Sequence, residues 1–258
     1  MFSYILFWFV SQNCEYTQRY NNISILLVET LKCICQTLIF ILTLPVNISA
    51  MNKSILTAVI AGLIGYGSAF AQLTASQAFV EAPRSVLPLL DRNARLDMLD
   101  YFNGGLTTKT SNKLNGSSAV TAVSPEQIAV QMTDASTCNM AVIPAANDTL
   151  VAVITTIATP APDSKMTVYS SDFARDLTSS VFSKPTLRDW VTDGSSLATV
   201  ESMVPFLLIS YSYNPATLTL TLTNNTRSFL SEDVYSIVEP YLKKEILYKW
   251  NGKKFARQ

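Results

Sequence analysis

Carboxylates are the only side chains in this 258-residue sequence that could do acid–base chemistry at neutral pH, because it contains no histidine. That absence excludes Ser-His-Asp and Cys-His catalysis, histidine-ligated zinc and any imidazole base. Three acidic groupings have chemically useful spacing. Asp97 and Asp100 stand at i,i+3, Asp172 and Asp176 at i,i+4, and Asp189 and Asp193 flank Trp190. A glycosidase needs two carboxylates roughly 5–9 Å apart across a cleft, one of them made a better proton holder by burial. On an exposed helix the same spacing arises without function, so Asp97 and Asp100 read as the polar face of an amphipathic helix. Asp189, Trp190 and Asp193 form the better ligand patch, since an aromatic platform beside acids suits a sugar or a calcium ion. The plainer reading of these three is a structural tryptophan with solvated neighbours.

Nucleophiles give less. Ser164-Lys165, Ser183-Lys184 and Ser111-Asn-Lys113 place serine near lysine, but none has the S-x-x-K spacing of a serine–lysine dyad, and all read as loop residues. Cys138 alternates with Met140 and Val142 in a strand-like run, which predicts a buried structural thiol rather than a reactive one. The pattern Gly62-Leu-Ile-Gly65-Tyr-Gly67 follows no strand and is not a nucleotide loop. No catalytic, cofactor or metal residue is assigned, and no cofactor is expected. The chain carries 19 basic and 19 acidic residues, with an isoelectric point near 6.3, a balance that argues against nucleic-acid binding through phosphate contacts.

Charge is unevenly distributed along the chain. Residues 1–71 hold only Glu15, Arg19, Glu29, Lys32 and Lys53, three basic and two acidic, so the remainder has a net charge of −1. From Met51 the sequence has a short basic start at Lys53, an apolar stretch from Ser54 to Gly67, and Ser68-Ala69-Phe70-Ala71 before Gln72. This is the order of a secretory signal peptide over 51–71, with small residues at Ala69 and Ala71 and cleavage before Gln72. Signal peptides begin a translated chain, so residues 1–50 read as an upstream extension from a start set too early. The rival is a membrane segment from Ile23 to Leu44, in which Glu29 and Lys32 would each cost about 2.5–3.5 kcal/mol. The expected product is 72–258, a single exported domain, or two subdomains divided near 170–200. It has no membrane span, and its one cysteine cannot form an internal disulfide.

Periodicity predicts the elements that must position these residues. Thr74 to Glu81 reads as a helix stopped by Pro83. Asp91 reads as the N-cap of a second helix through Asn103, with Asp91 and Arg95 as an i,i+4 ion pair and Leu96, Met98, Leu99 and Phe102 as the apolar stripe. The period then changes to two. Ile128–Met132, Cys138–Val142, the apolar run Leu150–Ile157 and Met166–Val168 form an antiparallel meander. A serine-rich stretch, 170–201, precedes a hairpin in which Leu207, Ile209, Tyr211 and Tyr213 share a face and Leu218, Leu220 and Leu222 alternate with threonines. Ser231 caps a helix bearing Val234, Ile237, Val238, Tyr241 and Leu242, kinked or ended at Pro240. A last hairpin turns at Asn251-Gly252 as a type I′ pair, setting Trp250 opposite Lys253 and Tyr248 opposite Phe255. Its Ile246, Tyr248, Trp250 and Phe255 face is expected to pack on the preceding helix. The order is α+β: N-terminal helices, antiparallel β meander, C-terminal helix and β-hairpin.

The signal peptide, Gln77-Ala-Phe-Val-Glu-Ala-Pro-Arg-Ser-Val-Leu-Pro-Leu-Leu90, Arg95-Leu-Asp-Met-Leu-Asp-Tyr-Phe102 and Asp148-Thr-Leu-Val-Ala-Val153 together resemble an uncharacterised exported family of Bacteroidetes bacteria. The resemblance implies a periplasmic or cell-surface location and carries over no catalytic residue. Asp148-Thr149-Leu150 also resembles the O-glycosylation acceptor of exported Bacteroidetes proteins, which makes Thr149 a candidate modification site. Two functions remain in view. One is a non-enzymatic binding or interaction module whose partner is an envelope protein or glycan; the other is a carboxylate-dependent hydrolase acting on glycan or peptide. Oligomeric state is not fixed by the sequence.

Overall fold

Two helices open the described part of the chain, each started by a side-chain cap. In the computed structural model the described residues are 73–258, apart from Thr107 and Asn147. The expected extension at 1–50, the signal peptide and the cleavage residues Ala69, Ala71 and Gln72 lie outside them. Helix α1 (Ala75–Glu81) starts at Thr74, whose hydroxyl accepts from the Gln77 amide while the Gln77 side chain returns to the Thr74 amide. This reciprocal box satisfies two donors that a helix start otherwise leaves open. Helix α2 (Arg92–Asn103) starts at Asp91, which accepts from Ala94 N–H at 2.9 Å.

Six antiparallel strands follow in sequence order as one meander: β1 (Thr110–Ser111), β2 (Ser117–Val123), β3 (Gln127–Thr133), β4 (Ser136–Pro144), β5 (Thr149–Ile157) and β6 (Asp163–Ser170). Short helices then span the serine-rich stretch: α3 (Thr178–Val181), α4 (Leu187–Trp190) and α5 (Leu197–Met203). Strands β7 (Ile209–Asn214) and β8 (Thr219–Asn224) come next, then α6 (Glu232–Val238), β9 (Glu245–Trp250) and β10 (Phe255–Arg257). These last strands form a second antiparallel sheet in the order β10-β9-β8-β7. The α+β class, the meander and the C-terminal hairpin are as the sequence predicts. No helix among the described residues is long and apolar enough to cross a membrane.

The layering follows from which faces are apolar. Ile128, Val130, Met132, Cys138, Met140, Val142, Val151 and Val153 bury one face of the meander against Phe79, Met98 and Leu99 of the two helices. On its other face, Ala141, Ile143, Ala152, Ile154, Met166 and Val168 meet Tyr211, Leu220, Leu222, Tyr248 and Trp250 of the second sheet. Strands β4 and β5 are thus covered on both sides, which is why Leu150–Ile157 reads as a continuous apolar run rather than an alternating one. A smaller cluster joins Val200 and Val204 at α5 to Val238 and Leu242 at α6.

Three local expectations are corrected. Arg95 makes no ion pair with the Asp91 carboxylate. It is buried, and one guanidinium nitrogen donates to the Phe79 and Ala82 carbonyls at 2.7 and 2.6 Å, closing the end of α1. In the last hairpin Trp250 pairs with Phe255 and Lys249 with Ala256, a four-residue turn rather than a two-residue one. The Asn251 side chain accepts from both Lys253 and Lys254 amides, and this Asx arrangement holds the wider loop with Gly252 at φ +90°. Lastly, the aromatic face of the hairpin packs on the meander and not on α6. The α6 residue Ile237 is 48% exposed, and the helix packs against α5 instead.

Candidate functional site

The segment between β6 and α4 is fixed at both ends, and a cleft opens beside it. Leu177 N–H donates to the Val168 carbonyl, and Val168 N–H donates to the Thr178 hydroxyl, which itself donates to Asp176. These bonds anchor α3 to β6. Phe182 then inserts its ring edge-on among Tyr211, Tyr248 and Phe255, with centroids 5.9, 5.3 and 6.3 Å away. Edge-to-face packing suits the ring quadrupoles and locks the segment onto the second sheet. At the far end the Asp189 carboxylate accepts from the Thr186 amide and hydroxyl and ties down the start of α4. Between α3 and β10 lies a cleft of about 540 Å3 whose wall includes Ser183, Lys184, Asp189, Tyr248, Lys254 and Arg257. A hollow of about 300 Å3 on the other side shares Phe182 and Lys184 with it and is bordered by Tyr211.

Asp189 is the one carboxylate of the cleft. One oxygen accepts from Thr186 N–H and the Thr186 hydroxyl, both at 2.8 Å, and the other accepts from Arg257 at 2.7 Å. The Thr186 amide, then its hydroxyl, then Arg257 hold this carboxyl below the ordinary aspartate range. Lys243 and Arg257 also donate to the Asp189 backbone carbonyl. Among the described residues Lys184 and Lys254 have no carboxylate partner.

The residues singled out from sequence are not brought together as a patch. Trp190 is 1% exposed in the core, so it offers no aromatic face to a ligand. Asp193 is solvated and accepts from Ser195, whose hydroxyl and amide lower its pKa. Asp189 does line a cleft, but its neighbours there are lysine, arginine and serine. Asp97 and Asp100 are exposed on α2, away from its buried Arg95, Met98 and Leu99. Asp172 is a turn cap for Ser170 and Ala174, and Asp176 for Thr178, and these hydrogen bonds hold both carboxyls down. A general acid at neutral pH requires the opposite shift. Among the described residues no three acidic or cysteine side chains are grouped to hold a metal ion.

Cys138 is buried, and loss of solvation pushes its thiol up to about 12, in keeping with a structural role. Ser164 sits in the core, donated to by the Tyr211 amide at 3.0 Å, so it does not act with Lys165. Thr149 is half-buried at the start of β5, and its amide donates to Asp148. The basic wall of Lys184, Lys254 and Arg257 was missed because its residues come from segments 70 positions apart. The serine-rich composition around Ser179–Ser183 was the only signal. Elsewhere Phe206 and Phe229, 48% and 42% exposed, pair with ring centroids 4.7 Å apart.

A family model described as "Protein of unknown function (DUF3256)" matches residues 68–255. A solved domain of an uncharacterised protein from Porphyromonas gingivalis W83, a Bacteroidetes bacterium, is similar at 20% identity and a TM-score of 0.62. The likeness covers 71% of this chain and 96% of that one, and at this identity it speaks for the fold alone. No curated protein matches the chain. The resemblance drawn from sequence is met as far as an uncharacterised family with a Bacteroidetes structural neighbour.

Proposed function

The chain belongs to the DUF3256 family, and on that premise we propose that it is an exported, non-catalytic binding domain of the cell envelope, with the α3–β10 cleft as its ligand face. The observation that carries this reading is the state of the carboxylates. The cleft contains one, and it is tied to Arg257 and Thr186 and shifted toward its charged form. Such a group orients a cation and does not deliver a proton. The cleft wall is instead basic and hydroxyl-bearing over a narrow floor of packed ring edges, a surface that holds a ligand by charge, hydrogen bonds and apolar contact.

Export to the periplasm or cell surface rests on the sequence order at 51–71, and an envelope protein or glycan is the partner class that location supplies. Intact-mass analysis of the protein from its own host tests export, with a product beginning at Gln72 expected and one beginning at Met1 or Met51 refuting it. Incubation with chromogenic glycosides and fluorogenic peptides tests the binding role. No turnover above blank is expected. Turnover abolished by Asp189→Asn or Asp172→Asn, in a variant still folded at the assay temperature, would overturn it in favour of the hydrolase.

A further inference from the structure

We propose that the α3–β10 cleft binds an oxyanion carried on a flat apolar body, of the chemical class of an aryl carboxylate or aryl phosphate. The inference rests on the reading of this cleft as a ligand face and goes further by naming what fits it.

Charge is the first argument. The whole chain is neutral, with 19 basic and 19 acidic residues, yet Lys184, Lys254 and Arg257 border this one cleft against a single carboxylate, Asp189. Arg257 is paired, its guanidinium held by the Asp189 side chain at 2.7 Å and backbone carbonyl at 3.0 Å. The two lysines have no carboxylate partner among the described residues. The local field is therefore positive by about two charges, and a concave wall concentrates it.

Neutral donors supplement the cations. Ser179 and Ser183 add hydroxyls to the wall. The bonds Asn251 N–H to Lys254 O and Gln258 N–H to Leu247 O fix the alternation of the β9–β10 ladder. Residues 254, 256 and 258 are then the hydrogen-bonded positions, so Phe255 and Arg257 direct their amides away from β9. Strand β10 is the edge of its sheet and borders the cleft, so these amides point to the side from which a ligand would approach.

The apolar requirement comes from the floor. Phe182, Tyr248 and Phe255 line the cleft with Pro185; the three rings are packed edge-to-face and are 5–7% exposed, so they offer the cleft a narrow apolar strip of ring edges. A bare phosphate would use the cations and leave this wall uncovered. A neutral aromatic would cover the wall and leave the lysines without a counter-charge. A volume of about 540 Å3 is that of a small-molecule site.

The test is calorimetric titration of the purified protein at low salt with phenyl phosphate, benzoate, inorganic phosphate and benzyl alcohol. At least one of the two aryl anions should bind saturably and weaken with added salt, and which binds tighter identifies the oxyanion. Inorganic phosphate and benzyl alcohol should each bind at least about tenfold more weakly. Lys184→Ala and Lys254→Ala should each weaken the aryl anion about tenfold at unchanged melting temperature, and Lys184→Arg should retain it. Benzyl alcohol binding as tightly as benzoate, alanine variants that bind as wild type, or no saturable binding by either aryl anion would each overturn the proposal. Release of phenol from phenyl phosphate by the wild type but not by the lysine variants would support the site while overturning the non-catalytic reading.

Discussion

Trp250 donates its indole N–H to the Pro144 carbonyl at 2.7 Å, joining residues 106 positions apart in the chain. The bond crosses from β9 to the end of β4, and the ring beneath it is 4% exposed and packed at 5.1 Å on Phe255. Trp250→Ala is expected to cost about 3–5 kcal/mol, as truncation of a buried aromatic does. Trp250→Phe keeps much of the ring and loses the bond, for about 1 kcal/mol plus the lost volume. Urea melts of both variants measure this. A cost for the alanine variant below about half a kcal/mol, the scale of an ordinary surface change, would remove Trp250 from the core.

Arg95 should prove far more important than its exposed neighbour Arg92. Its guanidinium serves the Phe79 and Ala82 carbonyls inside the protein, and desolvation lowers its pKa. Arg95→Met fills the space but leaves those carbonyls unpaired, at roughly 2–4 kcal/mol. Arg92 pairs with Glu81 at 2.7 Å, but both side chains are more than half exposed. Arg92→Ala should leave the denaturation midpoint where it is. Equal effects from the two variants would show that Arg95 does not clamp α1.

Alkaline titration should reveal three buried groups. Burial is the leading cause pushing Cys138, Tyr211 and Tyr213 up to about 12, from ordinary values of 9.0 for the thiol and 10.0 for the phenols. The unfolded chain releases these protons first, so the folded state loses stability as pH rises from about 9 toward 12. Below pH 9 their contribution is fully present. A thiol-specific chromogenic reagent at pH 8 should leave Cys138 unmodified until urea is added. Rapid native labelling would contradict its burial.

Tyr213 carries a hydroxyl with no hydrogen-bond partner, on a side chain that is 4% exposed. Removing a buried, unsatisfied polar group removes its desolvation penalty. Tyr213→Phe is therefore expected to be neutral or stabilising by about 1 kcal/mol, read from the shift in urea midpoint. A clear loss of stability would mean that the hydroxyl has a partner in solution.

On the acid side, Asp189 links Arg257 to the start of α4. Its pKa lies below the ordinary 3.8, through Thr186 first and Arg257 after it. Its contribution to stability is complete above pH 3.8 and disappears as pH falls through the lowered folded value, because the unfolded state protonates first. Asp189→Asn should lower the melting temperature at pH 6 and leave it closer to wild type at pH 2–3. A constant difference across that range would exclude the linkage.

What local sequence revealed and what it hid divide along contact distance. The caps at Asp91 and Ser231 and the shared apolar faces of the β7–β8 hairpin depend on near neighbours, and they were legible. The aromatic face of the last hairpin was also legible, because the wider turn moves each partner by two residues and keeps the same alternation. The partner of that face was not, since Trp250 meets a strand from the first half of the domain. Arg95 left a signal that a charge-pair reading obscured: it lies on the same helical stripe as Met98, Leu99 and Phe102. The cleft left almost none. Asp189 drew attention because of Trp190, but the groups that set its charge are Thr186, three residues before it, and Arg257, 68 positions away.

Strand β7 is the other edge of the second sheet, and two of its outward amides are already occupied. Ile209 N–H donates to the Asp163 carboxylate and Tyr211 N–H to the Ser164 hydroxyl, both at 3.0 Å. An uncapped edge is a template on which a foreign strand can add and fibres can grow. Two side chains from the start of β6 therefore close this edge to a foreign strand, and Asp163→Ala combined with Ser164→Ala would leave two β7 donors unpaired beside β6.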